Sequence, residues 1–133
     1  MREPLWLSRR KCDQYHELML LKDGGLTGYK SQNDLEAALA APRWAWTYGE
    51  SDLYKLAAVL TLHLAKGHCY SDANKRTSII AAIGFLGGNG IDVDVTDADS
   101  IAFTLQAANA KTKAEWRAAE KAIAAWLRRS TTK

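Results

Sequence analysis

The sequence predicts a single all-α domain, a compact bundle of about six helices. Three observations carry this. Apolar residues return every three or four positions in several separate stretches, the period of a helix buried along one face. Short polar residues that suit helix starts precede those stretches, some with an acidic residue three positions later. The one alternating segment, Ile91-Asp92-Val93-Asp94-Val95, has no obvious partner strand and need not form a sheet.

The chain of 133 residues is 47% apolar with 9 glycines and 2 prolines, enough to bury a real core and unlike a disordered segment. Its net charge of +3 is small and scattered, which argues against nucleic acid as a direct partner. Cys12 and Cys69 show neither metal-ligand spacing nor a disulfide framework. No signal peptide or long apolar span is evident, so a cytoplasmic protein without a membrane partner is expected. The core is expected over residues 5–127 of one domain, 1–133, with 128–133 as a polar tail. No internal repeat or low-complexity segment interrupts it.

Leu7-Ser8 and the run to Lys22 read as the first helix, with Ser8 as N-cap and Leu7 stapled onto Cys12. Cys12, Tyr15, Leu18, Met19 and Leu21 form its expected apolar face. Arg9, Arg10 and Lys11 oppose the dipole in its first turn, as a solvated charge run or a docking patch for an acidic partner. His16 and Glu17 read as a surface or structural pair. Asp23-Gly24-Gly25 stops the helix, and the turn to Gly28 lacks both the lysine and the preceding strand of a phosphate-binding P-loop. Ser31 and Asp34 resemble a capping box for a short helix that buries Leu35, Ala38 and Leu39 and closes at Pro42.

Residues 43–50 carry Trp44, Trp46 and Tyr48 in alternation and read as an extended flap, either a lid of packed aromatics or a strip that docks a target. Ser51 caps the next helix, whose Leu53, Leu56, Ala57, Leu60 and Leu64 make it the central one. His63 is poorly spaced with His68 for a shared metal and reads as a packed histidine. A helix from Lys75 to Leu86 stops at Gly87-Gly88-Asn89-Gly90. Thr96 and Asp99 open a helix through Ile101, Phe103 and Leu105. Thr112 and Glu115 box the last one, with Trp116, Ala119, Ile123, Trp126 and Leu127 inward. The tail from Arg128 to Lys133 is expected to fray.

The densest chemistry lies between the two central helices, in His68-Cys69-Tyr70-Ser71-Asp72-Ala73-Asn74-Lys75-Arg76-Thr77. Asp72 or Asn74 stands where an N-cap belongs, and the N–H groups of the turn that follows have no helical partners. Lys75 and Arg76 put two cations at the positive end of the helix dipole, which is unfavourable unless an anion compensates both. His68 can take a proton near neutral pH, its reference pKa being about 6.5. Asp72 can hold Mg2+, which prefers carboxylate and phosphate oxygens. Base, metal ligand and phosphate cradle describe phosphoryl or nucleotidyl transfer from a nucleotide to a hydroxyl.

The pattern His68-x-Tyr70-x-Asp72-Ala73-Asn74-Lys75-Arg76 resembles the H-x-F-x-D/E-G/A-N-K/G-R loop of the Fic/Doc superfamily, closest to its death-on-curing (Doc) toxin branch. Gly24-Gly25-Leu26-Thr27-Gly28, Leu35-Glu36-Ala37-Ala38-Leu39-Ala40-x-Pro42 and Phe85-Leu86-x-x-Asn89-Gly90 extend the likeness over residues 5–127. It implies a Fic/Doc-like bundle in which His68 is the general base and Asp72 organises Mg2+. Ala73, Asn74, Lys75, Arg76 and Thr77 would hold the phosphates of ATP, Lys75 and Arg76 also stabilising the transferred group. Trp44, Trp46 and Tyr48 would lie where the family presents its target.

Two departures bear on the reaction. The nucleotidyl-transferring Fic enzymes usually carry a second arginine where this chain has Ile79, and glycine where it has Ala73 and Lys75. Both changes are typical of the Doc branch, which implies an ATP-dependent protein kinase toxin of a toxin–antitoxin pair. The implied target is elongation factor Tu, with arrested translation as the result. Adenylyl transfer by the same loop and a non-catalytic phosphate-binding module are the alternatives. No S/T-x-x-x-E-G/N inhibitory motif is found, so the resemblance implies inhibition by a separate antitoxin of the prevents-host-death type.

Overall fold

A computed structural model, describing residues 2–132, contains six helices: α1 Arg9–Asp23, α2 Gln32–Thr47, α3 Leu53–Lys66, α4 Asn74–Gly88, α5 Asp97–Asn109 and α6 Lys113–Arg129. Among the described residues there is no strand, and the isolated bridges Tyr29–Tyr70 and Val93–Thr131 only tie loops together. The expected all-α bundle is what the chain forms.

α3 is apolar nearly all round and is accordingly the central helix. Leu56, Ala57, Ala58, Leu60, Leu62 and Leu64 are buried, and α2, α4, α5 and α6 all pack against it. α4 carries small residues on its faces, and Gly84 leaves room for Tyr15 where α1 crosses it. A Cβ there would meet the Tyr15 hydroxyl at 2.2 Å. α6 closes the bundle with Ala119, Ile123, Trp126 and Leu127 inward, and Trp126 stacks on Phe103 of α5 at 4.4 Å. Its start is the expected capping box, with the Thr112 hydroxyl accepting from Glu115 N–H at 3.1 Å and Glu115 accepting from Thr112 N–H at 3.0 Å. Ser8, Ser31 and Thr96 cap their helices as expected, whereas α3 is capped by Asp52 and not by Ser51.

Three further expectations need correction. The segment read as an extended flap is helical, because α2 runs through Pro42 to Thr47. Pro42 is buried, and Trp46 lies edge-on to Trp6 at 6.2 Å, which itself stacks on Phe85 at 5.9 Å. This packing outweighs the one backbone bond that proline removes. On α1 the buried residues are Cys12 and His16, while Leu18 and Leu21 face outward. α5 runs through Ile101, Phe103 and Leu105 as expected; its buried residues are Thr104 and Ala107, and Ile101 and Leu105 are exposed along a cleft. The tail does not fray over its described part. Thr132 N–H donates to Asp92 O at 2.8 Å and Asp94 N–H to Ser130 O at 3.1 Å; Lys133 lies outside the described residues.

The start of α4 also differs. Neither Asp72 nor Asn74 caps it; the N-cap is Ala73 in the left-handed region (φ 65°, ψ 23°), with no side-chain cap. A left-handed alanine costs about 1–2 kcal/mol locally, and the surrounding hydrogen bonds must hold it there. Ala73→Gly is therefore expected to stabilise modestly, by up to about 1 kcal/mol, since relief of strain exceeds the roughly 0.4–1 kcal/mol of added unfolded-chain entropy. Ala73→Val is expected to destabilise by more than about 1 kcal/mol. Urea unfolding of the two variants checks the pair. By the same method, Phe85→Ala should cost about 3–5 kcal/mol and Thr112→Ala about 1 kcal/mol.

Candidate active site

α3 ends at Gly67, where a Cβ would sit 2.8 Å from His63 O and 3.0 Å from Cys69 Sγ, so only glycine lets the chain turn this tightly. The next residues are pinned from three directions. Cys69 O accepts from Lys30 N–H (3.0 Å) and Ser31 N–H (3.3 Å), and Ser71 N–H donates to Gly28 O (3.0 Å). Asn74 folds back on the loop, its Oδ1 accepting from Tyr70 N–H at 3.0 Å while its Nδ2 donates to Tyr70 O at 2.9 Å. Tyr70 is buried and its hydroxyl donates to Asp13 Oδ1 at 2.8 Å, which supplies the partner a buried phenol requires. Burial first, and then the neighbouring Cys12 and Asp13, raise its pKa.

Asp72 is held by backbone donors. Its Oδ1 accepts from Ala73 N–H at 2.8 Å and its Oδ2 from Leu26 N–H at 3.3 Å. These two bonds, reinforced by Arg76 and His16, hold its pKa below the usual carboxylate value and keep it ionised. The glycine turn after α1 makes this approach possible. A Cβ on Gly25 (φ 130°) would meet Asp72 Oδ2 at 2.8 Å, so the turn works as a close cover for the carboxylate as well as a helix stop.

The first bond of α4 is from Thr77 N–H to Ala73 O (3.0 Å), and the N–H groups of Asn74, Lys75 and Arg76 precede it. With no side-chain cap, this helix start is suited to an anion. Lys75 is exposed. Arg76 Nη1 donates to Met19 O and Gly24 O, both at 3.2 Å, and lies 3.6 Å from Asp23 Oδ2, so it also welds α4 to the end of α1.

His68, Asp72, Ala73, Asn74, Lys75 and Arg76 share one open cleft of about 960 Å³. Its other wall is apolar, with Ile80 and Ile83 of α4 facing Ile101 and Leu105 of α5. The His68 ring is exposed and makes no hydrogen bond among the described residues. No cluster of three or more acidic, histidine or cysteine side chains suited to a metal occurs among the described residues. A single ionised carboxylate fits Mg2+ that takes its remaining oxygens from phosphates and water.

Thr77 is the exception among the expected phosphate ligands. It is buried outside the cleft, with its Oγ1 unpartnered among the described residues. The Asn74 side chain is spent on the loop, which leaves its backbone N–H toward the cleft. Trp44, Trp46 and Tyr48 do not line the cleft. Trp46 packs inward, while Trp44 (60% exposed) and Tyr48 (84% exposed) stack on each other at 6.4 Å.

His16, read from the sequence with Glu17 as a surface or structural pair, is structural and supports the loop. It is 5% exposed, donates from Nε2 to Asp72 O at 2.9 Å and stacks on Tyr70 at 3.8 Å, almost parallel. A carbonyl only accepts, so this bond fixes the proton on Nε2. The available signal was its position one turn beyond Cys12, on the buried face of α1.

The model of the Fic/DOC family matches residues 6–86, which contain α1 to α3, the whole loop and α4 up to Leu86. The protein kinase doc of Escherichia phage P1 is 34% identical over 79 residues, 59% of this chain and 63% of that protein, so less than two thirds of that relative is spanned. With the loop, its cover and the helix start in place within the matched stretch, the chain belongs to the Fic/DOC family.

Proposed function

We propose that the chain is a Doc-like toxin acting as an ATP- and Mg2+-dependent protein phosphotransferase that moves the γ-phosphate to a hydroxyl side chain of a host protein. The observation that carries this reading is the gathering of His68, Asp72, Lys75 and Arg76 in one open cleft at an uncapped helix start. A protein kinase among its relatives supports the same reaction class. Ile79, buried where the nucleotidyl-transferring Fic enzymes usually carry a second arginine, favours γ-phosphate over adenylyl transfer.

In this reading His68, exposed and without a competing partner, takes the proton from the acceptor hydroxyl. Lys75, Arg76 and the first N–H groups of α4 bind and orient phosphate oxygens. Asp72 would hold Mg2+, which when bound neutralises charge across those oxygens. We propose elongation factor Tu as the acceptor protein, arrested translation as the outcome in the cytoplasm, and a prevents-host-death type antitoxin as the inhibitor.

The deciding experiment incubates the purified protein, Mg2+ and elongation factor Tu with ATP labelled at either the γ or the α position. Label retained from γ is expected; retention from α, or none from either, overturns the reading. His68→Ala and Asp72→Ala should each lower transfer by about 10²–10⁴-fold with the helical content intact. Undiminished transfer in both would remove the site from the reaction.

The lowered pKa of Asp72 adds a pH signature. Its contribution to loop order is complete above the ordinary carboxylate pKa of about 3.9 and is lost as pH falls through its own lower value. A carboxyl NMR titration should place its midpoint below that of a free aspartate.

A further inference from the structure

The His68 ring has no partner of its own among the described residues, so its position is inherited from its backbone. That backbone is held by a carboxylate outside the loop: His68 N–H donates to Asp34 Oδ2 at 3.1 Å. Asp34 lies in the first turn of α2, where its negative charge suits the helix dipole, and its own N–H is received by Ser31 Oγ at 3.1 Å. The contact is reciprocal, because the residues leading into α2 donate to Cys69 O. Asp34 is thus a fixed, charge-assisted acceptor and not a mobile surface acid.

The other end of the loop is held by a different helix. His16 of α1 donates to the carbonyl of Asp72, the residue whose carboxylate faces the phosphate site, and its ring lies flat on Tyr70. Between the two contacts, Tyr70 is anchored separately by Asp13 and Asn74. A displacement at one end therefore need not pass to the other.

We infer that Asp34 and His16 are positioning residues that hold the two chemical halves of the loop independently, Asp34 the proton acceptor His68 and His16 the metal-holding Asp72. The inference rests on the phosphotransferase reading above for the roles of His68 and Asp72. Its structural content is the separate control of two loop ends by α2 and α1. Loss of Asp34 acts on the proton-transfer geometry and leaves the phosphate cradle in place. Loss of the His16 donor acts on the metal half and leaves His68 where it is.

The test uses the full chain with four substitutions, Asp34→Ala, Asp34→Asn, His16→Phe and His16→Gln, with transfer from ATP measured over a Mg2+ series. Asp34→Ala should lower kcat by about tenfold or more, since small misplacements of a reacting group have effects up to about 10²-fold. Its KM for ATP and its Mg2+ midpoint should stay within about twofold of the native values. Asp34→Asn, which keeps the acceptor, should recover most of kcat.

His16→Phe keeps a ring on Tyr70 without the donor and should raise the Mg2+ midpoint by about fivefold or more, with kcat at saturating Mg2+ changed by less than about threefold. His16→Gln should restore it. Proportional losses in both parameters, or effects that follow only the fall in melting temperature, overturn the inference. Amide hydrogen exchange reads the same question without catalysis. Asp34→Ala should speed exchange at His68 and not at Ala73, and His16→Phe should do the reverse; joint loss of protection in either variant overturns it. If the native protein transfers no label from ATP, the functional reading falls, and exchange alone decides whether the two ends are held separately.

Discussion

The site depends on one closed pair of hydrogen bonds, in which the Asn74 amide accepts from and donates to the backbone of Tyr70. That pair ties the first residue of α4 to the loop before it, and the chain between them must then turn sharply enough to place Ala73 in the left-handed region. The turn presents the start of α4 without a side-chain cap and brings the Asp72 carboxylate onto the N–H of Ala73. An asparagine suits this place because its side chain carries both an acceptor and a donor on one planar group. An aspartate would offer only acceptors, and the Tyr70 carbonyl would lose its donor.

The electrostatics of this helix start run against ordinary helix design. Lys75 and Arg76 stand in the first turn of α4, where the dipole disfavours positive charge, and no acidic residue shares that turn. Arg76 is partly compensated by two carbonyls and by Asp23 at the end of α1. The negative end of the α1 dipole thus meets the excess positive charge of α4. Lys75 is left exposed toward the cleft. The structure carries a local imbalance of charge at a place where an anion would remove it.

Much of the fold was legible because helix periodicity and capping chemistry are local signals. The Thr112–Glu115 box, the Ser8 and Thr96 caps and the apolar run of α3 are decided by residues within a few positions of one another. What failed depended on distant partners. Pro42 and the alternating aromatics after it read as a helix end and an extended flap until Trp46 is packed on Trp6, which stacks on Phe85. Leu18 and Leu21 look like core until His16 takes the inward position on α1 to reach Asp72, 56 positions along the chain. In the site, the loop residues were legible as a motif. Their supports His16 and Asp34 were not, because each acts on a backbone atom of the loop and leaves no mark on spacing.

The glycine turn between α1 and α2 bears on how the His68–Thr77 loop comes into being. Leu26 reaches Asp72, Gly28 reaches Ser71, and Lys30 and Ser31 reach Cys69, so this turn forms a splint over a loop made about 40 residues later in the chain. Such distant closures are entropically expensive and gain strength only when the helices behind them have docked. A fragment starting after α1 and the turn would retain the complete His68–Thr77 motif yet lack the donors that shape it. The shape of the loop is therefore a property of the assembled bundle, and the motif by itself does not carry it.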